Sequence, residues 1–587
     1  MKKASLLSSL VAACVIASLL FAWGCHRHRK SKSRPNTDAY SDNLQQIVQK
    51  KTLPPEKVDT TKVPNLRWPD FSDYEPLVQT FYDDRNYEVA WTRDDVPTPT
   101  ALAFIQQFND AAAKGLIPED YDAPRWPARI QALNDKSADA ISLFDVAMTV
   151  NVMRYISDLR IGRVNPQHFN FDINVADKKY DLAEFVSDHV VDSEDVPKLI
   201  ISVEPDSDEY RKTEQALAHY LDLANDQQRT PTDPLPPVTK PVSVGETYPA
   251  VGLLLTRLKL EDDAEADAPQ PEGTTYTAAL SAAVKHYQHR HGYTEDGKLT
   301  PQTVKSLNVP MTDRVAQLQD SLERWRWLPD PYLHARLMVN LPEFVLRGYD
   351  PDHKLDFTMR VVVGKVMGNH DTPVFTHMMK YLVFRPYWNV PVDIARNELA
   401  PRIASNHGYL ASKNFEVTDA KGAVLTDYTA KQVAQGGVMV REKPGPKNSL
   451  GLVKFIFPNQ YDIYLHSTPA VSLFEQTRRD FSHGCIRVQK PVDLAVWVLQ
   501  GQGGDWDLAK VEAAMNDGPN NRTVSLKNPL PIVIFYLTAR VDQDGQVDFF
   551  DDIYGYDASM QKVFAKGPPY PVKPYPNAPK PKTGDTL

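Results

Sequence analysis

Cys485 is the residue in this sequence best placed to act as a nucleophile, because two histidines stand near it in the chain. It lies in the segment FSHGCIRV with His483 two positions before it, and His466 ends the segment YDIYLH. A thiol attacks at neutral pH when an imidazole takes its proton or stabilises its thiolate, since an isolated cysteine titrates near about 8.5. The pattern indicates acyl transfer with either histidine as base, although a small buried hydrophobe is the alternative for a lone cysteine.

The neighbours of these residues carry groups that acyl transfer uses. Gly484 allows a sharp backbone turn before the cysteine, where N–H groups can point at a developing oxyanion. Ser467 and Ser482 can accept a hydrogen bond from a ring nitrogen and so fix a histidine tautomer. Arg487 can hold a substrate carboxylate. These residue types support an acyl-transfer site without identifying its substrate.

The spacing of these residues resembles the catalytic signature of the L,D-transpeptidase family of the YkuD type. The signature here is His466, then the run SHGC at 482–485, then Arg487. Further segments are similar to the large periplasmic branch of that family, and the resemblance spans residues 66–557. The segments are ERWRWLP, VNLPEF, VVVG, TPVF, WNVP, GPKNSLG, FPNQYDIYLHSTP and YLTARVDQDG.

The resemblance implies a role for each catalytic position. Cys485 would be the nucleophile and His466 the general base, with Ser467 orienting His466 through a backbone or side-chain contact. His483 and Gly484 would lie around the oxyanion site.

Four residues are predicted to bind substrate. Arg487 would orient the catalytic loop or the substrate, and Ser482 stands beside His483 in the same motif. Trp388 and Asn389, in the segment YWNVP, are candidates for the wall of the donor groove. A core position is the alternative for the tryptophan, because an aromatic side chain in a strand is commonly buried.

The activity that the resemblance implies is formation of 3→3 cross-links in peptidoglycan. The enzyme would break the bond between meso-diaminopimelate and D-alanine in a tetrapeptide stem, forming a thioester at Cys485. A side-chain amine of a neighbouring stem would then take the acyl group. Water or a lipoprotein lysine as acceptor stays open, as does a catalytically silent adaptor that binds the wall. The presence of His466, His483 and Cys485 together argues against the adaptor, because a scaffold needs none of them.

We expect no metal and no cofactor. His286, His289 and His291 stand close together, but no carboxylate or cysteine completes a ligand set at a known spacing. The 66 basic and 75 acidic residues give a net charge of -9 without a long basic stripe, which argues against nucleic acid as a partner. The expected partners are peptidoglycan stem peptides and the cell wall, with anchorage to the inner or outer membrane as a further option.

The N-terminus predicts export. Lys2 and Lys3 precede an apolar run at 4–22, so residues 1–25 are a signal peptide or a membrane anchor. Lipidation at Cys25 stays open, and residues 26–65 are a polar tether. The basic residues after the run oppose export by the positive-inside rule, but the catalytic motifs favour a periplasmic location in a Gram-negative envelope.

Periodicity divides the chain into several domains, because 587 residues exceed what one hydrophobic core accommodates. We predict a multidomain α+β protein with a mostly β catalytic domain. The resemblance to the YkuD-type family implies that this domain is a β-sandwich. Residues 248–310 resemble the peptidoglycan-binding domain type 1 family, a three-helix module, at AV, YQ, HG, DG and LN pairs between 283 and 308. The predicted units are a helical scaffold at 66–230, a Pro-rich linker at 231–247, the module at 248–310, the catalytic domain at 311–560 with a polar, irregular lid at 396–444, and a Pro-rich tail at 561–587.

Overall fold

The computed structural model describes residues 44–45, 66–68, 70–178, 180–366 and 370–570. The predicted signal peptide or anchor at 1–25, the lipidation site Cys25 and most of the tether at 26–65 lie outside the described residues. Leu44 falls inside the predicted tether but is buried in the scaffold core, so the tether is not free along its whole length. In the described ranges, no helix combines the length and the apolar character needed to span a bilayer.

The N-terminal unit is helical, as predicted. Its longest helix has 24 residues, begins at the cap Ser137 and is buried on nearly every side, which makes it the central helix of this unit. The helices are α1 (Glu75–Asp84), α2 (Pro99–Asn109), α3 (Trp126–Ala132), α4 (Ala138–Ile161), α5 (Leu182–Phe185), α6 (Val196–Val203) and α7 (Asp208–Arg229), and the strands are β1 (Thr92–Arg93) and β2 (Val96–Pro97).

The second unit has the three helices that the sequence predicts. They are α8 (Val251–Leu260), α9 (Ala278–Arg290) and α10 (Pro301–Leu307), and they enclose a small core of their own. The Pro-rich linker is held against this unit, because the backbone N–H of Leu235 donates to Asn308 Oδ1 at 2.7 Å and Asn308 Nδ2 donates back to the Leu235 carbonyl at 2.9 Å.

The C-terminal unit is rich in strands. Its helices are α11 (Met311–Trp327), α12 (Asp330–Leu333), α13 (Val392–Ile394), α14 (Ala400–Ser405), α15 (Tyr409–Ser412), α16 (Ala430–Gln435), α17 (Pro491–Leu499), α18 (Leu508–Asn516) and α19 (Tyr556–Phe564). Its strands are β3 (Leu337–Asn340), β4 (Val345–Tyr349), β5 (Leu355–Gly364), β6 (Phe375–Phe384), β7 (Trp388–Asn389), β8 (Phe415–Thr418), β9 (Val424–Leu425), β10 (Met439–Glu442), β11 (Val453–Ile456), β12 (Leu465–His466), β13 (Asp480–Ser482), β14 (Ile486–Val488), β15 (Arg522–Phe535), β16 (Ala539–Val541) and β17 (Val547–Phe549).

Eight of these strands form one sheet that closes on itself. Their order is β5, β14, β12, β11, β6, β15, β3, β4, and β4 pairs with β5 again, while the short β13 is attached to β5. The β-rich domain is therefore as predicted, but its sheet is continuous and not divided into two separate layers. Alternate residues point inward, for example Phe455, Leu465 and Ile486, and their burial fills the interior with apolar side chains.

The N-terminal helical unit and the C-terminal strand-rich unit share a core, which the predicted boundary near residue 230 does not reflect. Helix α7 packs along α11, and its buried residues join the same apolar cluster as the strands. Arg163 and Glu323 form a buried ion pair at 3.3 Å across this contact. The scaffold core proper ends near residue 203.

The predicted lid is a folded subdomain and not an irregular segment. Strands β7, β10, β8 and β9 form a four-stranded sheet, and helices α13 to α16 pack with it around a separate apolar core. The subdomain begins near Trp388 and ends at Glu442. The prediction was wrong about its regularity because apolar residues such as Leu399, Ile403 and Val433 are scattered in sequence and meet only in the fold.

The folded part of the chain continues beyond residue 561, where the Pro-rich tail was predicted to begin. Helix α19 continues to Phe564, and Tyr570 is buried with its hydroxyl donating to Asp120 Oδ2 at 2.5 Å. Residues 571–587 lie outside the described ranges.

Candidate active site

Strands β12 and β14 bring Cys485 and His466, the two central residues of the sequence analysis, to the same part of the sheet. They are parallel neighbours in which His466 pairs with Arg487 and Leu465 pairs with Ile486. Because Leu465 and Ile486 point into the core, His466 and Arg487 lie on the outer face of the sheet. Cys485 is one residue before β14 and hence near the same face, diagonally placed from His466.

His466 is held in one orientation by its own backbone neighbour. The side chain is buried, and Nδ1 donates to the Ser467 carbonyl oxygen at 2.6 Å. A carbonyl can only accept, so Nδ1 carries the proton and Nε2 keeps the lone pair of the neutral ring. Burial, and after it the Arg487 guanidinium, lower the pKa of His466 to about 3. The ring is therefore an unprotonated base at neutral pH.

Ser467 is fixed by a close approach of the backbone at Gly451. Gly451 has φ +62°, and a Cβ at this position would lie 2.3 Å from Ser467 Oγ. The Ser467 N–H also donates to the Val453 carbonyl at 3.0 Å. The segment NSLG thus supports the carbonyl that orients His466.

The Cys485 thiol is protonated at neutral pH. It is half-buried, and Sγ donates to the Asp462 carbonyl oxygen at 3.6 Å. Burial raises the pKa of the thiol to about 11, against hydrogen bonds from Tyr464 and the charge of Lys454, which act to lower it. At rest the site therefore holds a neutral thiol and a neutral imidazole.

Ser482 and Gly484 shape the loop before the cysteine. Ser482 Oγ donates to the Cys485 carbonyl at 2.5 Å and accepts from the Gly484 N–H at 3.2 Å. Gly484 has φ +115°, and its carbonyl accepts from Thr372 Oγ1 at 2.7 Å. Ser482 is buried, and its hydroxyl and the Gly484 N–H are both used in hydrogen bonds within the loop.

His483 turns toward the lid subdomain. Its Nε2 contacts Glu398 Oε1 at 2.9 Å, and its ring meets that of His370 edge-on with centroids 4.8 Å apart. Glu398 belongs to the π-helical turn Ala395–Leu399 of the subdomain. Of the two candidate bases, the structure thus places His466 on the face near Cys485 and directs His483 to the lid.

Trp388 and Asn389 lie at the base of the lid subdomain. They form β7, which pairs with β10, and the Trp388 ring lies 6.2 Å from that of Phe415. Trp388 is half-buried and Asn389 is exposed. Arg487 is half-buried on the outer face of β14, and burial lowers its pKa.

Four residues near the site were not selected from the sequence. Lys454 pairs with His466 across β11 and β12, and Tyr464 precedes β12 on the same face. Thr372 and Glu398 contact the catalytic loop from distant parts of the chain. The alternation in VKFIF and DIYLH could have identified Lys454 and Tyr464, whereas nothing local marks Thr372 or Glu398.

The fold and the site together define a class of protein. A cysteine on the same face of a sheet as an oriented, unprotonated histidine, one row away, provides the groups that cysteine-dependent acyl transfer requires.

Comparison with known families agrees with this class. Residues 334–512 match the family described as "L,D-transpeptidase catalytic domain", residues 253–307 match "Putative peptidoglycan binding domain", and residues 76–217 match "Scaffold domain". The chain therefore contains one region similar to L,D-transpeptidase catalytic domains of the YkuD type and another similar to peptidoglycan-binding domains.

A curated relative from Haemophilus influenzae, described as "Putative L,D-transpeptidase", is 29% identical over 313 residues. The alignment covers 51% of this chain and 62% of the relative, which is less than two thirds of its length. A solved structure from Clostridium acetobutylicum, a "Fused Zn-dependent amidase/peptidase/peptodoglycan-binding domain-containing protein", matches at 14% identity over 50% of this chain and 99% of that chain. Its TM-score of 0.14 is too low to support an inference.

Removal of the lid subdomain should leave a folded domain. Strands β7 and β10 are antiparallel neighbours, so a short Gly/Ser turn can replace residues 391–438, which enclose most of a separate core. We expect a small β-lactam still to acylate Cys485, while cross-linking of stem peptides falls at least about tenfold, because a lid excludes water and shapes the acceptor site. Circular dichroism and both activity assays check this result. An unfolded deletion variant would make the subdomain structural. Lys431→Gln, which changes an exposed residue of the intact subdomain, is the matched control and should behave as wild type.

Proposed function

We propose that this protein is an L,D-transpeptidase that forms 3→3 cross-links between meso-diaminopimelate residues of peptidoglycan through a Cys485 thioester. The observation that carries the proposal is the orientation of His466. Its Nδ1 is bound to the Ser467 carbonyl, and Nε2 is left with a lone pair on the face near Cys485. The matched catalytic and peptidoglycan-binding domains support the wall as substrate.

The chemistry proceeds in two half-reactions. Sγ of Cys485 attacks the carbonyl carbon of the third stem residue while His466 Nε2 takes the thiol proton. The C–N bond to D-alanine then breaks, and the imidazolium returns the proton to the leaving amine. In the second half-reaction a side-chain amine of a neighbouring stem attacks the thioester carbon, loses a proton to His466 and releases the thiol. The thioester keeps the acyl group activated, so this sequence uses no nucleotide.

The first half-reaction is the same for every acceptor. Water as acceptor would make the protein a carboxypeptidase, and a lipoprotein lysine would make it an anchoring enzyme. Cross-linking is favoured here because the lid subdomain approaches the catalytic loop at the Glu398–His483 contact, which supplies a wall where an acceptor stem could be held. Asn389 and Arg487 are the proposed polar contacts to the donor.

A periplasmic location is part of this proposal. Peptidoglycan lies outside the cytoplasm, and the basic start and apolar run of residues 1–25 favour export, with retention as an anchor or lipidation at Cys25 as the alternatives. The proposed partners are the stem peptides and the glycan of this cell wall.

A wall-digestion experiment tests the proposed reaction. Purified protein is incubated with tetrapeptide-rich cell wall, the wall is digested with a muramidase, and the fragments are read by mass spectrometry. Cross-linked dimers joined at the third stem residues, with one released D-alanine per dimer, are the expected products. Tripeptides alone would indicate hydrolysis, and an unchanged fragment pattern would indicate a silent adaptor.

A further inference from the structure

Four polar side chains lie around the candidate nucleophile on the outer face of the sheet, and only some of them have an assigned role. This outer-face cluster consists of Lys454, Tyr464, His466, Cys485 and Arg487. The register pairs Lys454 with His466, and His466 with Arg487, so the three lie in one row across β11, β12 and β14. Cys485 and Tyr464 lie in the neighbouring row. Lys454 and Tyr464 have no role so far, and Lys454 is the basic residue of the two.

The resting site poses a problem that His466 alone does not solve. The pKa of the Cys485 thiol is about 11 and that of His466 is about 3, both chiefly because of burial. Transfer of the proton from sulfur to nitrogen is therefore strongly uphill, because each member of the pair favours its neutral form. A thiolate that forms here needs a positive charge nearby.

Lys454 is the cation whose position meets this need. It projects from β11, and its Nζ lies 5.4 Å from the centroid of the Tyr464 ring. Tyr464 in turn lies next to Cys485, because the Ile486 N–H donates to the Tyr464 carbonyl at 3.1 Å, and hydrogen bonding to Tyr464 acts to lower the pKa of the thiol. Across the described part of the chain, no carboxylate lies within ion-pairing distance of Lys454, so its charge is not already neutralised. Burial lowers the pKa of Lys454, and the Cys485 sulfur acts in the opposite direction.

We propose that Lys454 stabilises the Cys485 thiolate as it forms, acting as the electrostatic partner of the nucleophile next to the general base His466. This rests on the proposed role of Cys485 as the nucleophile. Arg487, on the other side of His466, is then left to hold a substrate carboxylate, and the two cations have separate tasks.

Apart from Arg487, the other charged or titratable groups around the cluster supply no positive charge to the thiolate. Asp462 offers its carbonyl to the thiol, and its carboxylate raises the thiol pKa. Glu398 of the lid subdomain contacts His483 of the loop before Cys485, so these two groups are engaged with each other. Tyr464 and His466 are neutral at neutral pH. Arg487 is the remaining cation and has to be tested in parallel.

The test measures alkylation of Cys485 and not cross-linking, so its outcome is separate from that of the proposed function. Rates with neutral iodoacetamide and anionic iodoacetate are followed by mass spectrometry from about pH 6 to 9 in wild type, Lys454→Met and Lys454→Arg. In Lys454→Met the iodoacetamide rate should fall about tenfold at every pH, which is a pKa increase of about one unit. The ratio of the iodoacetate rate to the iodoacetamide rate should fall several-fold, and Lys454→Arg should restore most of both.

Two controls make the result specific. Lys527→Met removes an exposed lysine from β15 of the same sheet and should behave as wild type. Lys454→Gln serves as the second variant if Lys454→Met loses the near-ultraviolet circular dichroism of the folded protein. Overlapping pH–rate lines for wild type and either folded neutral variant would overturn the proposal, as would an equal fall in Lys527→Met. An Arg487→Met variant that reproduces the whole effect while Lys454→Met shows none would assign the role to Arg487.

Discussion

Replacing Cys485 with alanine is expected to abolish both cross-linked product and covalent labelling by a carbapenem. The thiol is the only sulfur nucleophile among the described residues, and alanine leaves no atom that can form the acyl-enzyme. Its stabilising contacts are modest, because the residue is half-buried and Sγ makes one long hydrogen bond to Asp462. The melting temperature should therefore change by less than about 4 °C.

Intact-protein mass spectrometry after carbapenem treatment, the wall-digestion assay and a thermal melt check this prediction together. Cys485→Ser is a useful companion, because it replaces the thiol with a hydroxyl on a side chain of similar size and should also be nearly inactive. Cross-linking that survives in Cys485→Ala would disprove the thioester mechanism, and a loss of activity accompanied by a large drop in melting temperature would leave the role of the cysteine structural.

Replacing His466 with alanine should slow acylation by about 10²-fold or more, because proton removal by a positioned base contributes at least that factor. The pH dependence gives a sharper test. The pKa of His466 is about 3, so the ring is already neutral above about pH 4, and wild-type acylation should show no loss on acidification through pH 6.5. The rate should fall only as the pH approaches the folded-state value and the ring becomes protonated.

In the variant, the reaction must use the small fraction of free thiolate. Its acylation rate should rise about tenfold per pH unit toward the thiol pKa of about 11, whereas the wild-type rate stays nearly flat. Stopped-flow acylation by a chromogenic β-lactam measures both profiles, and His483→Ala is the matched control because its ring contacts Glu398. If the pH profiles of the acylation rate are parallel for wild type and His466→Ala, and the slope changes only in His483→Ala, then His483 is the base.

The central pair of the site could be predicted from sequence because its signal is local. Cys485 sits in a four-residue motif, and His466 ends a strand with clear alternation. That alternation fixes which side of the sheet each residue faces, so Lys454 and Tyr464 were also within reach of the same reasoning. The β-rich and helical units followed from periodicity in the same way.

Contacts between distant segments were not predictable, since they depend on how the strands are ordered. Thr372 reaches the carbonyl of Gly484 across 112 positions, and Glu398 meets His483 across 85. The core of the lid subdomain likewise assembles from scattered apolar residues. The shared core of α7 and α11 joins two segments that the linker and the module separate in the chain.

The closed sheet of the catalytic domain limits how a peptide can be recognised. The strands that carry the candidate site, β11, β12 and β14, each have a neighbouring strand on both sides, and the attached β13 has only three residues. An extended peptide at the site therefore finds no free strand edge to pair with, although strand addition is a common way to read peptides of L-residues through their main chain. Recognition then depends on side chains on the outer face of the closed sheet and on the lid subdomain next to it. Such a surface does not demand regular strand geometry from its ligand, and this suits stems in which D- and L-centres are joined through a branched diamino acid.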